Sequence, residues 1–143
     1  MNNIRIKNNI KKIEVNDDGD YITINFNDRS IPSKFYSLAE KFEEKRTEAE
    51  KKLADIIKIE NENQKARALF DLDLEIHNWL SKEVDNIFGE DTCKKVFGDI
   101  VPNIYLYIEF FEQITPYFAD YVNFQKETVV INLSYLSSSI NAD

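Results

Sequence analysis

The chain has 143 residues, a net charge of −8 and an isoelectric point near 4.7. This acidic balance disfavours nucleic acids and anionic membrane surfaces as partners, because both bind proteins through clustered Lys and Arg side chains. The single cysteine, Cys93, excludes an intramolecular disulfide, and no stretch is long and apolar enough to predict a transmembrane helix. We therefore expect a cytoplasmic protein.

A β-hairpin is predicted at about residues 10–26. Apolar residues alternate on both sides of a polar turn at 16–20, and its Asp18-Gly19 pair is typical of turns with positive φ. The alternation places Ile22, Ile24 and Phe26 on one face. Because a lone hairpin is marginal in water, we expect that face to pack on helices or the hairpin to pair with another chain.

A long first helix is predicted from about Pro32 to Glu60. Its apolar residues recur at alternating intervals of four and three, as in coiled-coil-like packing. This spacing predicts a packing seam, and one interpretation is self-association of two copies. The candidate self-association seam comprises Phe35, Phe42, Leu53 and Ile56.

Three further helices are predicted downstream. After a weak point at 61–63, an apolar stripe indicates a second helix at about 63–87, which Gly89 ends. A short helix lies between Gly89 and Gly98, and a last helix begins near Pro102. At Pro116 this helix either kinks or gives way to a new helix capped by Thr115, and both interpretations remain open.

The predicted fold is therefore mainly α: a small bundle of three to four helices with an N-terminal β-hairpin (α+β). We expect one domain over 1–125. Residues 126–143 change character, and we predict a short strand near 128–131 followed by a loose tail.

Three features resemble catalytic or metal sites, and each has a simpler interpretation. The turn at 16–20 resembles a calcium loop, but its twelfth position is Asn25 instead of a bidentate Glu. His77 and Asp73 fall short of a four-ligand zinc set. Cys93 has neither a positioned base nor an oxyanion loop. We predict no catalytic residue, no bound metal and no cofactor.

An aromatic band near the C-terminal third is the most informative feature of the sequence. Its rings are too many for one helix face, so we expect part of the band, including Tyr105 and Phe110, to be exposed. Exposed aromatic patches typically bind protein. The candidate partner-binding residues are Tyr105, Tyr107, Phe110, Phe111, Phe118, Tyr121 and Phe124.

The order of short motifs after Trp79 points to a family. One helix ends in Ile87-Phe88-Gly89, a short helix containing Thr92 leads to Val96-Phe97-Gly98, and a final helix carries Phe110 to Phe118. This arrangement resembles the small tail assembly chaperones of long-tailed phages that infect low-GC Gram-positive bacteria. The motif residues are Phe88, Gly89, Thr92, Phe97 and Gly98.

The resemblance implies a non-enzymatic protein that coats the aggregation-prone tape measure protein and assists assembly of the tail tube around it. Aromatic helical surfaces suit that task, because they can cover the apolar stripes of a long helical partner. The expected partner is therefore the tape measure or tail tube protein. The alternative is a self-associating structural or regulatory phage or prophage protein without catalytic activity, using the seam of the first helix.

Overall fold

A computed structural model describes residues 2–119 of the chain. Within this range two antiparallel strands precede four helices, which confirms the predicted mainly α, α+β fold class. The chain divides into two compact units, one ending at Tyr107 and the other beginning at Ile108. The strand predicted near 128–131 and the tail at 126–143 lie outside the described residues. No helix in the described range is long and apolar enough to cross a membrane.

The hairpin consists of β1 (Ile10–Glu14) and β2 (Tyr21–Asn25), with Lys12 opposite Thr23. Its turn is organised by Asn16, whose Oδ1 accepts hydrogen bonds from the backbone N–H groups of Asp18 and Asp20. The same side chain donates through Nδ2 to the carbonyl oxygen of Lys95, at 3.0 Å. One asparagine therefore shapes the turn and joins it to a segment 79 residues away in sequence.

The two long helices, α1 (Ser30–Ile57) and α2 (Glu62–Phe88), run antiparallel. Asp28 accepts hydrogen bonds from the backbone N–H and the hydroxyl of Ser30, which stabilises the start of α1 and lowers the pKa of that carboxyl. Asn61 caps α2 by accepting the Gln64 N–H at 3.0 Å. The predicted weak point at 61–63 is thus the start of α2, with Asn61 as its cap and residues 62–63 in its first turn.

The helix α3 (Thr92–Phe97) is bracketed by two glycines in a rare backbone conformation. Gly89 has φ 114° and ψ 160°, and Gly98 has φ 79° and ψ −163°. Only glycine occupies this region without strain, because a Cβ atom clashes with its own backbone there. The N–H of each glycine still donates a hydrogen bond that closes the last turn of the preceding helix. Gly89 donates to the carbonyl oxygen of Asp85, and Gly98 donates to that of Lys94. The two Phe-Gly elements are therefore helix stops.

The core of the first unit gathers where the hairpin and α3 meet α2. Leu80 and Val84 of α2 have no exposed surface, and Ile24 of β2 is equally inaccessible. The ring of Phe35 in α1 meets that of Phe88 edge-on, with centroids 6.3 Å apart. The buried side chains of α2 all follow Trp79: Leu80, Val84, Ile87 and Phe88. Burial is therefore concentrated in the second half of this helix.

A fourth helix, α4, occupies residues 104–119, up to the end of the described range. It is continuous through Pro116, so no new helix starts at Thr115. The Thr115 hydroxyl instead donates a hydrogen bond to the Phe111 carbonyl one turn earlier, at 2.5 Å. The boundary between the two compact units falls within α4, after Tyr107.

Candidate functional site

The aromatic band of α4 is largely withdrawn from solvent. Tyr107, Phe110 and Phe118 are buried, and Phe111 is half-buried. The expectation that Phe110 is exposed is therefore wrong, and Tyr107 and Phe118 cannot offer an accessible surface in this conformation. The physical reason is spacing: positions 107, 110, 114 and 118 follow the three-and-four interval that aligns side chains on one helix face.

Tyr105 is the exception, since 75% of its surface is exposed. Tyr105 precedes the buried Tyr107 by two positions, and residues two positions apart on a helix face different directions. Two other candidate residues, Tyr121 and Phe124, lie outside the described residues. Among the described rings of the band, Tyr105 alone is mostly in solvent.

The seam of α1 divides into two parts. Phe35 is buried against Phe88, so it belongs to the chain's own core and is not available to a second copy. Phe42 and Ile56 are half-buried, and Leu53 is 37% exposed. The part of the seam from Phe42 onward is therefore only partly buried.

Residues 39–79 form what we call the distal arm, the stretch in which α1 and α2 run side by side up to their connection. No side chain in this stretch is fully buried. Yet the distal arm contains many large apolar side chains: Phe42, Leu53, Ile56, Leu69, Phe70, Leu72, Leu74, Ile76 and Trp79. Two helices alone cannot enclose these side chains, because a stripe on each remains open unless a further element covers it.

The distal arm contains an apolar groove with a volume of about 420 Å³. The groove lies between the facing sides of α1 and α2, with Ile104 at one edge. Its apolar lining is Phe42, Ala49, Leu53, Ala66, Leu69, Phe70, Leu72, Ile76, Trp79 and Ile104. Phe70, whose surface is 70% exposed, is the most accessible large hydrophobic side chain of this lining.

Four charged side chains also line the groove, two of each sign: Lys45, Arg46, Glu50 and Asp73. The Lys45 ammonium lies 5.6 Å from the centroid of the Trp79 ring, a cation–π distance. This balance differs from that of the chain as a whole, whose net charge is −8. Both cations already have partners on α1, since Lys45 pairs with Glu48 at 3.5 Å and Arg46 with Glu43 at 2.7 Å.

An ion pair joins the two helices beside the groove. The Lys52 ammonium donates to both carboxylate oxygens of Glu75, at 2.9 and 3.2 Å. This hydrogen bond lowers the pKa of Glu75 and raises that of Lys52. Both groups are solvent-exposed, so the pair contributes little to stability.

The two residues considered for metal or thiol chemistry lie near Tyr107. The Tyr107 hydroxyl is 2.7 Å from Nδ1 of His77, and the Cys93 thiol faces the Ser81 carbonyl oxygen at 3.9 Å. Burial raises the pKa of Cys93 to about 12, with a further contribution from the charge of Asp85. Cys93 is therefore a protonated thiol at neutral pH, whereas a nucleophilic cysteine requires a thiolate.

We expect Cys93 to react slowly with iodoacetamide in the folded protein. At pH 8 a pKa of about 12 leaves about one thiol in ten thousand ionised, against about a quarter for an unperturbed cysteine. Alkylation followed by mass spectrometry, in buffer and in urea, measures both rates. Similar rates in the two conditions would show that the thiol is accessible and ordinary.

The motif residues act as a structural unit. Thr92 is buried, and its hydroxyl donates to the carbonyl oxygen of Gly89 at 2.7 Å. The Phe97 ring packs against Tyr107 with centroids 4.9 Å apart. The Asp85 carboxylate accepts a hydrogen bond from the Cys93 N–H at 3.1 Å, which gives a partner to one of the free backbone N–H groups at the start of α3. These contacts give the segment 88–98 its shape, and none of them requires a ligand.

Two other observations concern the segment before β1 and the possible metal ligands. Ile4 and Ile6 are almost fully exposed and alternate with Arg5 and Lys7 ahead of β1. No group of three or more His, Cys, Asp or Glu side chains within residues 2–119 is placed to hold a metal ion.

Sequence reasoning missed Phe70, the most exposed of the large hydrophobic side chains that line this groove. Its position falls beside the predicted stripe of α2, next to Leu69. The available signal was the additional apolar pair Phe70 and Leu74, four residues apart and therefore on one helix face.

Comparison of the chain with protein-family models, with curated proteins and with solved structures gives no significant match.

Proposed function

We propose that this chain is a phage tail assembly chaperone, a non-catalytic protein that binds the tape measure protein and keeps it soluble during tail morphogenesis. The observation that carries the proposal is the distal arm, where a long apolar seam contains no fully buried side chain. The apolar groove on that arm would receive an apolar helical stretch of the tape measure protein. The aromatic band of α4 contributes less than the sequence suggested, with Tyr105 as its exposed member.

The dimensions of the groove suit a helical client. The groove lining on α1 runs from Phe42 to Leu53, which is about 18 Å at 1.5 Å per residue. A helix laid along such a groove presents apolar side chains at intervals of three and four residues, which is how amphipathic helices bind in helical grooves. Phe70 and Trp79 supply aromatic surface of the kind that dominates binding energy at protein interfaces.

The acidic remainder of the surface suits the second part of the proposed function, which is to keep the tape measure protein soluble. An excess of negative charge keeps a protein and its complexes apart in solution, and this chain carries eight more acidic than basic residues. The order of helix stops at Gly89 and Gly98 supplies the family resemblance on which the identity of the client rests.

The test is co-expression of the chain with the tape measure protein encoded beside it. We expect the soluble fraction of the tape measure protein to increase at least several-fold, and the two proteins to co-purify. Leu53→Glu, which places a charge in the groove, should reduce co-purification by at least ten-fold, because a buried unpaired carboxylate is strongly unfavourable.

The matched control is Ala54→Glu, the next residue on α1, which is exposed and outside the groove lining. It should leave co-purification unchanged. If the tape measure protein behaves the same with and without the chain, the proposed function is wrong. If both variants bind equally well, the groove is not the binding surface.

A further inference from the structure

We propose that residues 3–9, which we call the N-terminal segment, bind an acidic peptide that adds to the segment as a β-strand. The N-terminal segment precedes β1 and shares no residue with the apolar groove, so this inference goes beyond the proposed function. The segment combines three features that such a partner requires: a backbone with unpaired polar groups in line with a strand, exposed apolar side chains, and positive charge.

The backbone of the N-terminal segment continues the pairing of the hairpin beyond β1. The Phe26 N–H donates to the Asn9 carbonyl oxygen at 2.9 Å, and Nδ2 of Asn27 donates to the Lys7 carbonyl oxygen at 2.8 Å. The chain after β2 then turns into α1. Within the described part of the chain, the backbone groups of residues 3–6 have no hydrogen-bond partner in the protein. Unpaired backbone groups in line with a strand are the template to which an incoming strand adds.

The side chains of the N-terminal segment alternate between apolar and basic. Ile4 and Ile6 have 91% and 84% of their surface exposed, and Arg5 and Lys7 are exposed as well. Neither cation forms an ion pair with an acidic group of residues 2–119. Successive side chains of an extended segment point to opposite sides, so an added strand meets isoleucines on one face and cations on the other. The matching partner therefore alternates apolar and acidic residues, because opposite charges on paired strands attract.

The charge of the N-terminal segment is opposite to that of the rest of the chain. Residues 1–13 contain four basic and no acidic residues, whereas residues 14–143 contain 14 basic and 26 acidic residues. A nucleic acid or an anionic membrane presents an extended negative surface, which the acidic part of the chain repels. A short acidic peptide contacts the N-terminal segment alone, and solvent ions screen it from more distant carboxylates. The charge distribution therefore favours an acidic peptide over both polyanions.

Fluorescence anisotropy of a labelled peptide with the full chain tests the inference. The probe is an eight-residue peptide in which Glu alternates with Val, and its composition control has four Val followed by four Glu. We expect the alternating peptide to bind at least ten-fold more tightly than the control, since only its two faces match those of the N-terminal segment. The amides of residues 3–6 should exchange their hydrogens at least several-fold more slowly when the alternating peptide is bound.

Charge reversal identifies the surface that binds the peptide. Arg5→Glu combined with Lys7→Glu should lower the affinity at least ten-fold and leave the circular dichroism unchanged, because both side chains are exposed. The matched control is Lys51→Glu combined with Lys82→Glu, two exposed lysines of α1 and α2. This control changes the net charge equally and should reduce the affinity by less than three-fold.

Three results would overturn the inference. The first is equal binding of the alternating peptide and its composition control. The second is an equal loss of affinity in the two charge-reversal variants, which would assign binding to net charge instead of to the N-terminal segment. The third is binding of phosphatidylserine vesicles or single-stranded DNA at least as tight as that of the alternating peptide, which would make the segment a site for polyanions.

Discussion

Replacement of Leu80 by Ala is expected to lower the free energy of unfolding by about 2–5 kcal/mol, the range for truncation of a fully buried leucine. Leu80 has no exposed surface and lies at the start of the buried part of α2, with Val84 one turn later. Removal of its side chain atoms leaves a cavity that close-packed neighbours fill only in part. For a domain of this size the loss is a large fraction of the total stability.

The matched control is the same substitution in the distal arm. Leu69→Ala removes identical atoms from the same helix, but Leu69 is only half-buried and borders the open groove. We expect a loss of about 1 kcal/mol, because less surface returns to water and no closed cavity forms. Urea unfolding followed by circular dichroism measures both values. Equal losses at the two positions would contradict the uneven distribution of burial described above.

Replacement of Gly98 by Ala should lower the free energy of unfolding by about 1–3 kcal/mol, the strain expected for a non-glycine residue in this backbone region. The added Cβ meets no atom within 4 Å, so the effect has no steric contribution from neighbours. It arises from φ 79° and ψ −163°, which end α3 and direct the chain toward α4. Gly89→Ala should behave alike, since its conformation is similar.

Gly19→Asn provides the comparison for these glycine variants. Gly19 also has a positive φ, of 86°, but it lies in the exposed hairpin turn, where Asn tolerates positive φ. We expect a loss well below that at Gly98. Thermal unfolding of the three variants ranks them, and a Gly98→Ala protein as stable as the wild type would show that the backbone there is not strained.

The local features of the fold follow from the sequence because they depend on neighbouring residues. The turn at 16–20, the cap at Asn61 and the stops at Gly89 and Gly98 each express a short-range conformational preference. The alternation that placed Ile22 and Ile24 on one face of β2 is likewise local, and both side chains are buried as predicted. Helix boundaries differ from the prediction by only a few residues.

The surface available to a partner could not be derived in the same way. Periodicity shows that 107, 110, 114 and 118 share a face, but it does not show how many of the other rings the fold covers. The aromatic band looked exposed because its rings were counted, whereas burial depends on packing between distant segments. The same limit applies to α1, where Phe35 and Leu53 share one seam, yet one is core and the other borders a groove.

The distal arm has an energetic consequence for recognition. Segments with few buried contacts open locally at a free energy well below that of global unfolding, so the backbone amides of residues 39–79 will exchange their hydrogens sooner than those around Leu80 and Val84. Whatever binds the arm must also order it, and this entropic penalty reduces affinity without reducing the area of contact. The arm is therefore suited to holding a partner that has to be released later.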